Sequence, residues 1–272
     1  MCLRLAVVFD SAGTLLRTYR VVKDVIHGKI HLDVETTTLT AASPDRALLV
    51  LHVTSREIIE QPPEVLLSTY LTGRRIGFGV ACARSVFTPD QVSEILYRDT
   101  RATLGDLQEC IREVWRHCKR EALLVMDSGV ILHFGAKAIE FTVTSGGRPF
   151  AGAQETITAL HRRGIATYIA SGDRVAKLEK IAEHLGIPLD RVHGIATPSI
   201  KAQIVSDLKE EYDAVAMVGD GINDLAALQR ADVAILSLQQ PGEKPAALYA
   251  EADHVVERVA DVVPILERIA RR

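Results

Sequence analysis

The 272 residues carry 32 basic and 35 acidic side chains and a net charge of −3, which excludes the overall basic field that nucleic acid or an anionic membrane would attract. With 47% hydrophobic and 25% charged residues, the chain reads as an ordinary soluble globular protein with enough length for one large domain or two modest ones. No apolar run approaches the roughly 20 residues that span a bilayer, so no membrane partner is expected and the localisation read from the sequence is cytoplasmic.

Residues 3–10 predict a buried strand, an apolar run through Val7-Val8-Phe9 that ends on Asp10 in VVFDSAGTLL. From 19 to 147 come β-like runs at 29–40, 46–53, 122–134 and 137–144, with helical segments at 63–71 and 88–118. The run at 122–134 predicts a hairpin turning at Asp127-Ser128-Gly129. SGGRP at 145–149 predicts the hinge through which the chain returns. Strands and helices segregated in this way predict an α+β insert packed as its own domain.

Beyond the insert, helices are predicted at 153–163, 173–186, 199–211, 223–231 and 259–271. They alternate with apolar strands at 165–171, 214–219, 232–236 and 253–257 and a short apolar segment at 192–196. Continuous apolar strands between helices mean a parallel sheet covered on both faces, a doubly wound α/β fold. Cys2, Cys82, Cys110 and Cys118 form no CxxC pair and read as thiols in a reducing compartment. Cys110 and Cys118 fall on roughly one helix face, but neither they nor His27, His31, His52, His117 and His133 have zinc-ligand spacing.

Doubly wound folds bind ligands outside the carboxyl ends of their strands, and four short motifs fall there. Asp10 follows the first strand, and Ser171-Gly172-Asp173 follows the strand at 165–170. Lys201 stands near a helix start, and GDGIND at 219–224 follows another strand. Asp10 and Asp220 offer hard oxygen ligands for Mg²⁺. The Ser171 hydroxyl and the N–H groups of a helix start can hold phosphate oxygens, and Lys201 can neutralise charge on a transferring group. Read singly, these residues have plainer explanations: Lys201 as a solvated helix lysine, Asp173 as a helix cap.

FDSAGTL, ASGD, Lys201 and GDGIND, in this order and strand context, resemble the four motifs of the haloacid dehalogenase superfamily. GDGINDLAAL and PSIKAQIVSDL are most similar to the phosphorylation domain of P-type ATPases. The likeness covers residues 3–16 and about 148–236. It implies a Rossmann-like catalytic core at 1–18 and 148–272 with an inserted α+β cap at 19–147. It also implies a Mg²⁺-dependent phosphohydrolase acting on a small phosphorylated substrate through an aspartyl-phosphate. By position, Asp10 would be the nucleophile, with the Ala12 carbonyl, Asp220, Asn223 and Asp224 joining it around the metal. Thr14, Ser171, Gly172 and Lys201 would contact phosphate, and Gly172 and Asp173 would shape the loop.

Most phosphatases of that superfamily have a second Asp where this chain has Ala12, and that Asp moves the proton of the leaving group. P-type ATPases have Thr there, and phosphonoacetaldehyde hydrolases have Ala in a similar motif. Alanine moves no proton, so substrates with good leaving groups are expected. Two alternatives follow from the same residue. One is a catalytically weak phosphate- or nucleotide-binding regulatory protein. The other is a phosphonatase-like C–P hydrolase, which would need a cap lysine such as Lys23 or Lys29. The insert has no KGAPE-like nucleotide signature beyond a faint echo in FGAKAIEF at 134–141, and the oligomeric state is not legible.

Overall fold

The computed structural model of the chain describes residues 3–118 and 123–270. Cys2 and the extremes of the expected ranges (1–2, 122 and 271–272) lie outside them. The contacts divide the chain into two compact units, one made of residues up to Thr18 and from Gly147 onward, the other of Tyr19–Gly146.

The chain opens with β1 (Leu5–Phe9), five consecutive buried apolar residues. β2 (Leu16–Asp24) leads into the second unit, which continues with β3 (Ile30–Leu32), α1 (Thr36–Ala41), β4 (Arg46–Leu51), α2 (Ser55–Ile59) and α3 (Leu67–Gly73). It goes on through β5 (Phe78–Ala83), α4 (Pro89–Arg98), α5 (Leu104–Cys118), β6 (Val125–His133) and β7 (Ala138–Pro149). Back in the first unit come α6 (Ala153–Arg162), β8 (Ala166–Ala170), α7 (Val175–Leu185), β9 (Val192–His193) and α8 (Pro198–Glu211). The remaining elements are β10 (Ala214–Gly219), α9 (Leu225–Leu228), β11 (Val233–Ser237), α10 (Ala246–Glu251), β12 (His254–Val256) and α11 (Val262–Ala270).

In the first unit six strands stand in the order β12-β11-β10-β1-β8-β9, and every neighbouring pair is parallel. This is the expected doubly wound α/β arrangement: from β1 in the middle, the chain builds to one side through β8 and β9, then to the other through β10, β11 and β12. Helices pack by apolar stripes at helical spacing. In α6 the buried residues are Ala153, Thr156, Ile157 and Leu160, and in α7 Leu178, Ile181, Ala182 and Leu185. Gly186 ends α7 in the left-handed conformation.

The second unit holds a sheet ordered β3-β2-β7-β6-β4-β5, with β2–β3, β4–β5 and β4–β6 antiparallel. Leu49, Leu51, Ile58, Leu67, Leu71, Leu96, Leu104 and Ile111 form its main core with α2–α5. Two expectations are corrected here. The Asp127-Ser128-Gly129 hairpin does not form; these residues lie inside the single strand β6. Gly129 is there for a close approach: a Cβ on it would stand 2.1 Å from the Leu49 carbonyl oxygen of β4. Residues 29–40 are not one strand. Asp33 adopts φ 52° and ends β3, and the following threonines enter α1, where Thr40 Oγ1 donates to the Thr36 carbonyl at 2.7 Å. The return hinge expected at 145–149 falls in the last part of β7, where the boundary between the two units also lies. The segment at 88–118 is two helices, separated where Asp99 Oδ1 accepts the N–H groups of Arg101 and Ala102 at 2.9 and 2.8 Å.

Cys110 is buried and unbridged, and burial pushes its thiol up to about 12. Beside it Lys23 pairs with Asp106 Oδ1 at 2.8 Å and Glu109 Oε2 at 2.7 Å. Burial would lower the Lys23 pKa, yet hydrogen bonds and charge from the two acids outweigh it and raise the value. Burial would likewise raise Asp106, but Lys23 and Thr103 hold it below the ordinary carboxylate range. The stability from Asp106 is therefore present above an unfolded value of about 3.9 and lost as pH falls through the lower folded value. In Lys23→Met the thermal midpoint should fall less steeply below pH 4 than in the parent chain. Parallel acid limbs in a pH series of melting curves would refute this.

Candidate active site

β1 and β10 run parallel with Phe9 opposite Val218, so Asp10 and Gly219 leave the sheet side by side where the strand order reverses. The Asp10 N–H donates to the Val218 carbonyl at 2.9 Å, and the residue is buried. On the other flank Phe9 faces Ile169, which places Ser171 just beyond Asp10 along the strand direction. The strand-end positions picked out in the sequence thus share one end of one sheet.

Lys201 reaches this end from α8. Thr197 caps that helix through the Ile200 N–H, and Pro198 opens its first turn. The buried residues of α8 are Lys201, Val205 and Leu208, so a lysine occupies the core-facing stripe at 1% exposure. A lysine there needs carboxylate partners to offset desolvation. It has two: Nζ donates to Asp10 Oδ1 at 2.5 Å and to Asp224 Oδ1 at 2.6 Å. Burial would lower its pKa, but the two carboxylates raise it well beyond the ordinary lysine value.

Asp224 is fully buried and also holds the acidic loop, its Oδ2 accepting the N–H groups of Asp220 and Gly221 at 3.0 and 3.1 Å. Asp220 receives Lys244 Nζ on Oδ2 at 2.6 Å. Gly13, at φ 80°, lies under Asp220 so closely that a Cβ would stand 2.2 Å from Oδ2; both the conformation and the approach require glycine. Burial drives the Asp10 carboxyl up, to about 8; Lys201 opposes this, and the charges of Asp224 and Asp220 add to it. Negative charge at Asp10 is therefore only partly compensated by the lysine.

Asp10, Asp220 and Asp224 form the one group of three or more metal-capable side chains among the described residues, with ligand atoms all within 4.8 Å of one another. Three carboxylates make a hard oxygen set that suits Mg²⁺ rather than a soft thiophilic metal. Other expected residues sit around this trio in different ways. Thr14 Oγ1, like the Oγ of nearby Ser11, is buried with no hydrogen-bond partner among the described residues. Ser171 is buried with Oγ accepting the Asp173 N–H at 3.3 Å, while Gly172 is exposed. Asp173 pairs with Lys177 at 3.0 Å and does not cap α7, whose cap position is Arg174. Asn223 is exposed, and Ala12 bridges to Leu16.

Residues the sequence reading passed over come from the end of β11 and the segment after it. Besides Lys244, Ser237 Oγ donates to the Gly13 carbonyl at 3.3 Å and Gln239 Nε2 to the Thr14 carbonyl at 3.0 Å. Gln240 accepts the Thr18 N–H and donates to its carbonyl, both at 3.0 Å. These side chains pin the backbone that follows Asp10. The available signal was positional: the segment leaves the carboxyl end of a strand two places from β1.

No helix among the described residues is long and apolar enough to cross a membrane. A soluble P-type ATPase-like phosphatase of Methanocaldococcus jannaschii is 29% identical over 268 residues, covering 98% of this chain and 94% of that protein. The copper-transporting ATPase PAA2 of Arabidopsis thaliana is 34% identical over 114 residues, which are 42% of this chain and 13% of the transporter. Among solved structures, a zinc-transporting PIB-type ATPase in its E2.Pi state aligns with 99% of this chain and 41% of its own, at 16% identity and a TM-score of 0.48. Residues 5–232, which run from β1 to the foot of β11 and include Asp10, Lys201, Asp220 and Asp224, match the haloacid dehalogenase-like hydrolase model, and the chain belongs to that family.

Proposed function

We propose that this hydrolase is a Mg²⁺-dependent phosphohydrolase that works through an aspartyl-phosphate on Asp10 and favours good leaving groups. The observation that carries the reading is the buried Lys201 ammonium held between Asp10 and Asp224, beside Asp220, at the switch point of the sheet. The archaeal relative's description as a phosphatase supports it. Asp10, Asp220 and the Ala12 carbonyl would hold Mg²⁺, with Asp224 and Asn223 in support. Once bound, the cation would withdraw charge from the phosphoryl oxygens and bring the Asp10 carboxyl down into its ionised form.

An Asp10 carboxylate oxygen attacks phosphorus, and the leaving group departs with the bonding electron pair. Lys201 and the Thr14 and Ser171 hydroxyls meet the phosphoryl oxygens, so most of the barrier reduction comes from fixed charge and orientation. Water then cleaves the acyl phosphate and restores Asp10. The unit Tyr19–Gly146 serves as the cap that selects the substrate.

Ala12 makes the leaving group decisive. Positioned acid catalysis contributes on the order of 10²–10⁴-fold, and alanine supplies none of it. Nitrophenyl phosphate or an acyl phosphate should be hydrolysed at least ~10²-fold faster than a hexose phosphate, and EDTA should stop both reactions. Ala12→Asp should raise the hexose phosphate rate by ~10-fold or more and leave the nitrophenyl rate little changed. Equal turnover of the two substrate classes by the parent enzyme would remove the leaving-group argument. Phosphate release that survives EDTA would remove the metal.

A further inference from the structure

The two lysines of the site are held differently. Lys201 projects from the packed face of α8 and sits between two carboxylates. Lys244 comes from the loop between β11 and α10 and forms an ion pair with Asp220. Residues 241–243 and 245 around it are exposed, and Gly242 takes φ 131°, backbone that only glycine adopts readily. Against that open backbone the Lys244 side chain folds inward to 9% exposure and covers a carboxylate that is itself 15% exposed. None of the four motifs accounts for this lysine, and a solvated loop lysine would not lie this way.

We infer that Lys244 is the exchangeable counter-ion of Asp220. It neutralises the carboxylate while no metal is bound, yields it when a divalent cation enters, and so sets how weakly that cation is held. The inference rests on the phosphohydrolase reading of the site. Its physical basis is competition. One carboxylate serving an ammonium and a divalent cation together sets like charges against each other in a partly desolvated cleft, where the repulsion is only weakly screened. Cation uptake therefore favours opening a pair whose lysine is able to move away. An exposed loop can release its lysine to water, whereas Lys201, locked on the core-facing stripe, cannot leave. A site built this way trades metal affinity for a metal-free state in which Asp220 keeps a cationic partner.

Calorimetric titration of metal-free protein with Mg²⁺ tests this directly, with thermal melting in parallel. Lys244→Met should bind Mg²⁺ at least tenfold more tightly than the parent chain, and Lys244→Arg, which keeps the charge, should bind it as the parent does. Metal-free Lys244→Met should melt lower than the parent and gain more from Mg²⁺. Lys244→Gln gives the same comparison if the Met variant does not fold. Unchanged or weaker Mg²⁺ binding in the uncharged variants overturns the inference. If the parent binds Mg²⁺ and Asp220→Asn loses it, that failure leaves the metal reading standing. If the parent takes up no Mg²⁺ at millimolar concentration, the metal reading and this inference fall together.

Discussion

Asp10→Asn should lower Mg²⁺-dependent phosphate release by on the order of 10⁴-fold or more, because the amide keeps the size of the side chain but cannot form the acyl phosphate. Its fold should survive. Asp10 is raised to about 8 by burial and by two neighbouring carboxylates, so a neutral isostere removes repulsion at this point. The amide oxygen can still accept from Lys201, which stays paired with Asp224. The expected pattern is therefore lost activity with an unchanged or higher thermal midpoint. Full turnover by the variant would end the assignment of Asp10 as nucleophile, and a collapsed midpoint would show that the carboxylate is structural.

Lys201→Met should give the opposite signature, losing stability together with activity. Removing the ammonium leaves Asp10 and Asp224 buried without the cation between them. Breaking a buried pair in this way costs ~3–5 kcal/mol. The sign of the pH dependence follows from the carboxylates. Asp10 already stands at about 8 in the parent, and with Lys201 gone nothing opposes the burial that raises it, so its folded value climbs further above the unfolded value of about 3.9 and the added penalty develops as pH rises through about 8. Melting curves from pH 6 to 10 should show the gap between variant and parent widening above about pH 8. A gap independent of pH would mean that Lys201 acts by packing alone. Activity should fall on the order of 10²–10³-fold, as for other losses of a fixed charge at a developing anion.

The legible parts of this molecule are those in which one residue type answers a local demand. Leu5–Phe9 reads as a central parallel strand because all five residues are apolar, and Asp10 stands out because a run of that kind has no packing use for an acid. Asp220 and Asp224 are marked by glycines that allow close approach; Gly219 would carry a Cβ 2.5 Å from the Asp224 Cβ. Lys201 is only half visible in the sequence, since its burial depends on two acids, one 191 and the other 23 residues away. Lys244 and Gln239 carried no local signal, because their partners Asp220 and Thr14 approach only once the sheet has formed. The second unit departs from its sequence pattern where a local rule loses to a tertiary contact. Asp127-Ser128-Gly129 has turn composition, yet the Leu49 carbonyl demands a glycine inside a strand. The threonines of α1 favour strands, but Thr36 and Thr40 bury themselves in a helix.

The central position of β1 also bears on how the protein is made. In the finished sheet Ala6 lies beside Ala166 and Leu5 beside Ala214, so this greasy segment leaves the ribosome well before either flanking strand exists. At about 5–20 residues per second, it waits many seconds without its partners. The intervening unit has its own core and can finish in that interval, while the nascent β1 segment stays open to chaperone holdases or to self-association.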